Sequence, residues 1–468
     1  MSLHACIDPI KKILTKEKIG EWDIYIEEAV EHEIQLRNFD IEIIRGPITN
    51  LGYAVRIIKS RKNKVGIGIG AGNSLKPVHI RRFLDTASVG ASITEFPGYI
   101  MPRPKEYPPV KIADSKIVSS AETVIKDKIE ELLSLLKESK TVLPTFAKIR
   151  TYRISTVINN SAGISAEKKE TLVYIELALK AQQGAKLAEY WPAVYVRRVE
   201  DLQLDQQIPK WTRLAEDTLN AKVPKTMKTT VIFTPHVLGD ILPNTVGFHC
   251  LGSSVYKEIS RFKKEQKVGS SELTIYDDGI YDYALGSSPF DDEGVPHSKT
   301  TLIERGIHKN FLYDAMYAAT LHTNPTGNGQ KLPPSRLAFP RVDTMYPFLP
   351  SSHPTNITVE AGDMSLDEMI ATTKEGIYVE QFSDIQSDPL TTSFGSEIRN
   401  AYLIKKGELS TPLKGGQISG FVLDSKNNKG EKKNGLLTEV SGITNKAKIA
   451  YRCIAPFMRF DEIQVAGK

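Results

Sequence analysis

Cysteine is scarce in this chain: three among 468 residues, Cys6, Cys250 and Cys453. A sparse, odd set excludes a disulfide framework and fits a reducing compartment, so the cytoplasm is the expected address. Long apolar runs are missing as well. No stretch reaches the ~18 consecutive apolar residues of a membrane-spanning helix. The first twelve residues carry charge before any apolar run, unlike a secretory signal. Charge of one sign is also lacking. The 61 basic and 56 acidic residues leave +5, without the clustered basic stripe of a nucleic-acid binder. The short run Lys426–Lys433 sits among Asn and Gly and reads as a solvated turn.

Paired histidines are absent too. Zinc peptidases set two histidines one helical turn apart, with a glutamate as general base. His32–Glu33 opens such a pattern, but Leu36 and Arg37 stand where the second histidine is needed. The segment also alternates like a strand. His4, His79, His236, His249, His297, His308, His322 and His353 show no such pairing. His249 and Cys250 are neighbours whose side chains diverge in regular structure. No G-x-S-x-G nucleophile elbow occurs. Cys453 lies in an apolar terminal segment and reads as a packing residue.

What is present suggests two units. Globular domains usually run to about 100–200 residues. Asp23–Ala29, Glu33–Arg37, Ile41–Arg45 and Tyr53–Ile58 are short, β-branched and alternating, with turn residues between the later ones. Gly66, Gly68, Gly70 and Gly72 alternate with Ile67, Ile69 and Ala71, and Asp85 follows. A dinucleotide loop needs its glycines in a tight turn; this alternation reads as a strand that another backbone approaches closely. Ser74 is a candidate cap for a helix over 75–88, and Phe96–Pro109 reads as a Pro-rich surface segment. Ser120–Lys137 predicts an amphipathic helix capped by Ser119 or Ser120. Strands are expected at 146–158, 171–180 and 193–199, and a helix at 203–221. Val223–Pro224–Lys225 reads as a linker, dividing the chain into units 1–224 and 225–468. The second unit is rich in short strands and turns, with isolated helices near 236–248 and 365–373. The expected fold class is α+β: an N-terminal α/β domain with a mixed sheet and helices, then a β-rich, barrel-like antiparallel domain.

One acidic cluster stands out. Asp277, Asp278, Asp282, Asp291, Asp292, Glu293 and His297 fall within twenty-one residues. Loop carboxylates can hold a hard cation, but the spacing fits no EF-hand. Gly279, Gly286, Pro289, Gly294 and Pro296 interleave with them in the manner of hairpin turns. Turn chemistry, a metal or catalytic role, and a substrate-contacting loop all remain open on this pattern.

Several stretches, taken in order, resemble the TldD/PmbA family, also called modulators of DNA gyrase. Phe290–Pro296 resembles its F-D-x-E-G-v-p loop, and Thr300–Gly306, Phe311–Asp314, Tyr317 and Ala318 follow in the family order. Pro325–Gly329, Asn356–Asp363, Ser365–Ile370, Gly376–Val379, Ile404–Glu408 and Ile418–Gly420 continue it. Asn38–Ile44, Gly52–Arg56 and Asn160–Gly163 match more loosely in the first half. The family's active branch carries H-E-x-x-x-H on a helix and a cysteine ligand near the C-terminus. Where that helix is expected, this chain reads Ile241–Leu242–Pro243–Asn244–Thr245–Val246–Gly247–Phe248. Pro243 and Phe248 replace the histidines and Asn244 the base, and the ligand cysteine would fall near Ser441 or Gly442.

The resemblance implies a protein of proteolysis without a catalytic residue or metal of its own. It would be the non-metal, TldE/PmbA-type subunit, with zinc only on a TldD-type partner and an extended peptide as substrate. Asp291, Asp292, Glu293 and His297 are candidates to line the peptide groove. A homodimer is compatible with the sequence when the chain is alone; neither membrane nor direct nucleic-acid contact is expected. Two other functions are compatible: a stand-alone regulator of the gyrase-modulator type, and a peptidase using a non-standard metal site in the acidic cluster.

Overall fold

The computed structural model describes residues 3–62, 64–333, 344–426 and 430–468. Residues 427–429 of the expected Lys426–Lys433 turn lie outside the described residues. Helix α1 (Ile7–Lys16) precedes three antiparallel strands, β1 (Glu21–Arg37), β2 (Asp40–Arg61) and β3 (Lys64–Gly72). The four short strands expected in this region merge into β1 and β2. A bulge at Glu31/Glu33 absorbs the break in alternation between them.

Helix α2 (Pro77–Ile93) packs on β3. Its cap is Lys76 rather than Ser74, because Pro77 fits the first helical position, where no N–H is needed. The alternating glycines make this packing possible. A Cβ on Gly66, Gly68 or Gly70 would lie within 2 Å of a carbonyl oxygen of Ala91, Ala87 or Phe83. The stretch is a strand under close backbone approach, as its alternation indicates.

Helix α3 (Ser115–Lys137) starts earlier than its apolar stripe suggests. Asp114 caps it by accepting from the Lys116 N–H, and Ser120 sits at a kink with φ −157°. Strands β4 (Val142–Asn160), β5 (Ser165–Gln183), β6 (Lys186–Tyr190) and β7 (Ala193–Val196) complete the sheet in the order β3-β2-β1-β4-β5-β6, with β7 also on β5. Every pair in it is antiparallel, so the mixed pairing expected here is absent. Helices α1 and α2 cover one end of the sheet, and α3 with α4 (Leu204–Thr218) the other. Along β1, Ile24 and Ile26 enter the helix-covered core. Tyr25 and Ala29 pack on the opposite face, against Phe290 and Leu285 of the C-terminal half.

From β8 (Met227–Phe233) onward the chain is strand-rich. Going round from β8, the strands Met458–Ala466, Gln417–Phe421, Ser393–Lys405 and Glu375–Phe382 pair in turn, and the last returns to β8, closing a barrel. Parallel pairs occur here, between β8 and Glu375–Phe382 and between Ile357–Val359 and Cys453–Ala455. A second sheet runs from Ile307–His308 through Lys299–Glu304, Ile275–Asp278, Ile357–Val359 and Cys453–Ala455 to Lys448–Ala450 at its edge. Helix α5 (Pro235–Leu242) follows β8, and its Val237, Leu238, Ile241 and Leu242 join the one large core of this half. The molecule is thus an α+β fold with a barrel-like C-terminal half. Among the described residues no helix is long and apolar enough to cross a membrane.

Candidate functional site

The segment where the family motif would lie runs from the last residues of helix α5 through Phe248. Thr234 caps α5 and Pro235 occupies its first turn. Pro243 then cannot donate to the preceding turn, and Pro243–Gly247 winds as a π-turn. Side chains replace part of the lost bonding: Asn244 Nδ2 donates to the Asp240 carbonyl at 3.1 Å, and Thr245 Oγ1 to that of Ile241 at 2.7 Å. Phe248 is half-buried, edge-on to His249 at 5.4 Å. The buried His249 accepts from the Arg261 N–H, and burial holds its pKa down at about 4.

The three motif positions therefore offer a ring without a donor atom, an amide engaged in helix repair, and a hydrocarbon. Ser441 is held by Arg459 at 3.2 Å, and Gly442 faces Met369 and Arg459. A tetrahedral zinc site needs thiolate, imidazole or carboxylate donors, and this set does not fit one. Among the described residues no group of three or more His, Cys, Asp or Glu is placed to hold a metal ion. Cys453 is fully buried, and burial, with Asp240 nearby, raises its thiol pKa.

The acidic cluster splits into two kinds of residue. Asp278 performs turn chemistry, accepting from the Ile280 N–H, whereas Asp282 accepts from the Lys111 N–H, 171 residues away. The rest is buried, and two of its carboxylates, Asp292 and Glu293, clamp the two halves of the chain together. Asp291 accepts from three backbone N–H groups, those of Glu293, Val295 and Gly329. Asp292 accepts from Lys331 N, Lys168 Nζ and Tyr25 Oη. Glu293 accepts from Ala315 N and, at 2.8 Å, from Arg56, which also bonds Asp23 and Tyr99. Burial raises the Asp291 pKa, reinforced by Glu293. Asp277, held by Thr355 N and Asn328 Nδ2, is raised to about 6 by the same cause.

His297 donates from Nδ1 to the Gly279 carbonyl, and burial lowers its pKa to about 3. Asp291, Asp292, Glu293 and His297 are all at most 5% exposed. Asp292 and Glu293 bond residues of the first sheet, and Asp291, Asp292 and His297 line a small cavity of about 40 Å³ with Lys168, Arg197 and Arg452. The carboxylates of Asp292 and Glu293 face partners more than a hundred residues away, which turn spacing alone does not show.

The open site lies elsewhere, in a cleft of about 1080 Å³ between the first sheet and the C-terminal half. Two sheet edges line it. On one wall is all of β7 and on the other is Lys448–Ala450; among the described residues β7 pairs with β5 alone and Lys448–Ala450 with Cys453–Ala455 alone. The start of α5 forms part of the lining, with His236 facing Tyr451 Oη at 3.4 Å. One turn along, Asp240 is partly buried. Burial and then Asp384 raise its pKa to about 7, while burial lowers that of His236 to about 4. The His236/Asp240 spacing of four residues is visible in the sequence, but a pattern of paired histidines does not include it.

The fold is that of a strand-rich α+β protein with a barrel-like C-terminal half and a wide cleft between its two halves. Residues 226–467 match the family model described as the PmbA/TldA metallopeptidase C-terminal domain. The chain belongs to this TldD/PmbA family. A metalloprotease of Methanocaldococcus jannaschii is 27% identical over 430 residues, spanning 89% of this chain and 90% of its own length. A metalloprotease TldD homolog of Haemophilus influenzae is 34% identical over 188 residues, 40% of this chain and 36% of its own. TldE from Thermococcus kodakarensis shares the fold with a TM-score of 0.81 at 19% identity, over 98% of this chain and 100% of that one. So does a Thermotoga maritima protein described as a proposed DNA gyrase modulator, with a TM-score of 0.81 at 19% identity over 99% and 100% of the two chains.

Proposed function

We propose that this chain is the non-metal subunit of a heterodimeric zinc metallopeptidase that acts on unfolded or linear peptides, with zinc and hydrolysis on a TldD-type partner. The observation that carries this reading is the motif helix. It is packed into the core at Ile241, Leu242 and Val246, yet Pro243, Asn244 and Phe248 supply no zinc ligand and no general base. The cleft supports the peptide half of the reading. An extended chain gains main-chain hydrogen bonds by adding to an open sheet edge, and two such edges line this space. In this reading residues 1–224 and 225–468 act as the two jaws of the cleft, and the pair works in the cytoplasm.

The test is co-expression with the TldD-type chain of the same genome. The two chains should co-purify, and the pair should hydrolyse an unstructured peptide until a chelator is added. Chelator-sensitive hydrolysis by this chain alone would sink the proposal.

A further inference from the structure

We infer that the cleft selects extended peptides by their aromatic side chains, with Tyr195 and Tyr451 as the specificity-determining pair; this rests on the peptide-binding reading above and names the class of peptide. Rings cross the cleft from one half of the chain to the other. Tyr174 of β5 stacks on Tyr195 of β7 with centroids 4.5 Å apart and planes at 29°. Tyr195 meets Tyr451 at 6.3 Å, and Tyr451 meets His236 at 5.0 Å. Tyr195, His236 and Tyr451 all line the cleft and are only partly buried. Tyr281, also in the lining, is 44% exposed.

The strand edges fix where a peptide side chain lands. A strand added to the edge of β7 that faces away from β5 sets one residue directly opposite Tyr195, with Cβ atoms about 4.5–5.5 Å apart. Aromatic residues are among the best partners at such a position. A ring sandwiched between Tyr195 and Tyr451 would need them about 9 Å apart or more. At 6.3 Å they leave no such slot, so a ligand ring packs across them in the offset or edge-on geometry that aromatic pairs favour. His236 has its pKa lowered to about 4, so at neutral pH it adds a neutral ring to the row and no positive charge.

The experiment uses the purified full chain and fluorescein-labelled peptides of equal length, identical except for Phe, Tyr or Leu at one central position. Fluorescence anisotropy reads the affinity of each. The Phe and Tyr peptides should bind roughly twofold to tenfold tighter than the Leu peptide. The variants Tyr195→Leu and Tyr451→Leu keep apolar bulk without the ring. They should lose that advantage, bringing the ratio of Phe- or Tyr-peptide affinity to Leu-peptide affinity to about one. Equal affinity of the wild-type chain for all three peptides would overturn the inference and leave the peptide-binding reading standing. An aromatic advantage surviving in both variants would overturn the assignment to these two residues. No binding of any peptide would overturn both. The wild-type comparison needs no variant to fold.

Discussion

Arg56 and Glu293, 237 residues apart, meet at 2.8 Å with both side chains at most 4% exposed. The pair joins β2 to the Phe290–Pro296 loop and ties the first sheet to the C-terminal half. Breaking a buried, hydrogen-bonded ion pair leaves the surviving charge away from water and without its counter-ion, at a cost of about 3–5 kcal/mol. Arg56→Ala should therefore lower unfolding stability by about that much, read by denaturant titration of tryptophan fluorescence. Lys64→Ala, which removes an exposed, solvent-screened pair with Glu95, should leave stability near that of wild type. Equal effects from the two variants would mean that the clamp does not hold the halves together.

Gly68 lies where α2 and β3 touch. A Cβ there would stand 1.9 Å from the Ala87 carbonyl oxygen and 2.4 Å from the Ala91 nitrogen. Backbone atoms cannot swing aside as a side chain can. Gly68→Ala should cost about 1–3 kcal/mol or more through forced backbone shifts. Gly20, where an added Cβ would meet nothing within 4 Å, is the control, and Gly20→Ala should melt near the wild-type temperature. A Gly68→Ala protein that melts with wild type would show that the helix does not seat on this strand.

How much is legible in the sequence follows from the range of each interaction. The Gly66–Gly72 alternation announces a tightly approached strand because the signal is local. The apolar stripe of α3 marks the helix but not its first turn, because Asp114 and the kink at Ser120 fall outside the periodic run. The acidic cluster is visible as a cluster, and the turn role of Asp278 agrees with the interleaved glycines and prolines. The burial of Asp292 and Glu293 is hidden because their partners Tyr25, Arg56 and Lys168 come from a different sheet. The cleft is hidden for the same reason: β7 and Lys448–Ala450 form its walls only once two sheets have folded against each other.

Asp240 gives a pH signature. Its carboxyl has a pKa of about 7 in the folded chain against an ordinary 3.8, mainly through burial. The folded state thus holds this proton more tightly than the unfolded state. Its contribution to stability is intact below 3.8, falls as pH rises from there to about 7, and is flat above. Asp240→Asn removes the titration. The variant should gain melting temperature over wild type, and the gain should be larger at pH 8 than at pH 5. A gain that is independent of pH would show that Asp240 is not buried against its charge.

Zinc retention tests the motif helix itself. Metal affinity at such a site comes from deprotonated or neutral donor atoms held in a tetrahedral set. Pro243 and Phe248 have none, and the amide of Asn244 is bound to the Asp240 carbonyl. The purified chain, incubated with zinc and then gel-filtered, should retain no stoichiometric metal by elemental analysis, and its melting temperature should not move with zinc or chelator. Donors do exist close by: His249 is buried with its Nε2 unbonded, and Cys250 is buried next to it. Were an ion retained, His249→Gln would show whether it sits beside that helix. Loss of the ion in this variant would mean that the motif had moved along the chain rather than disappeared.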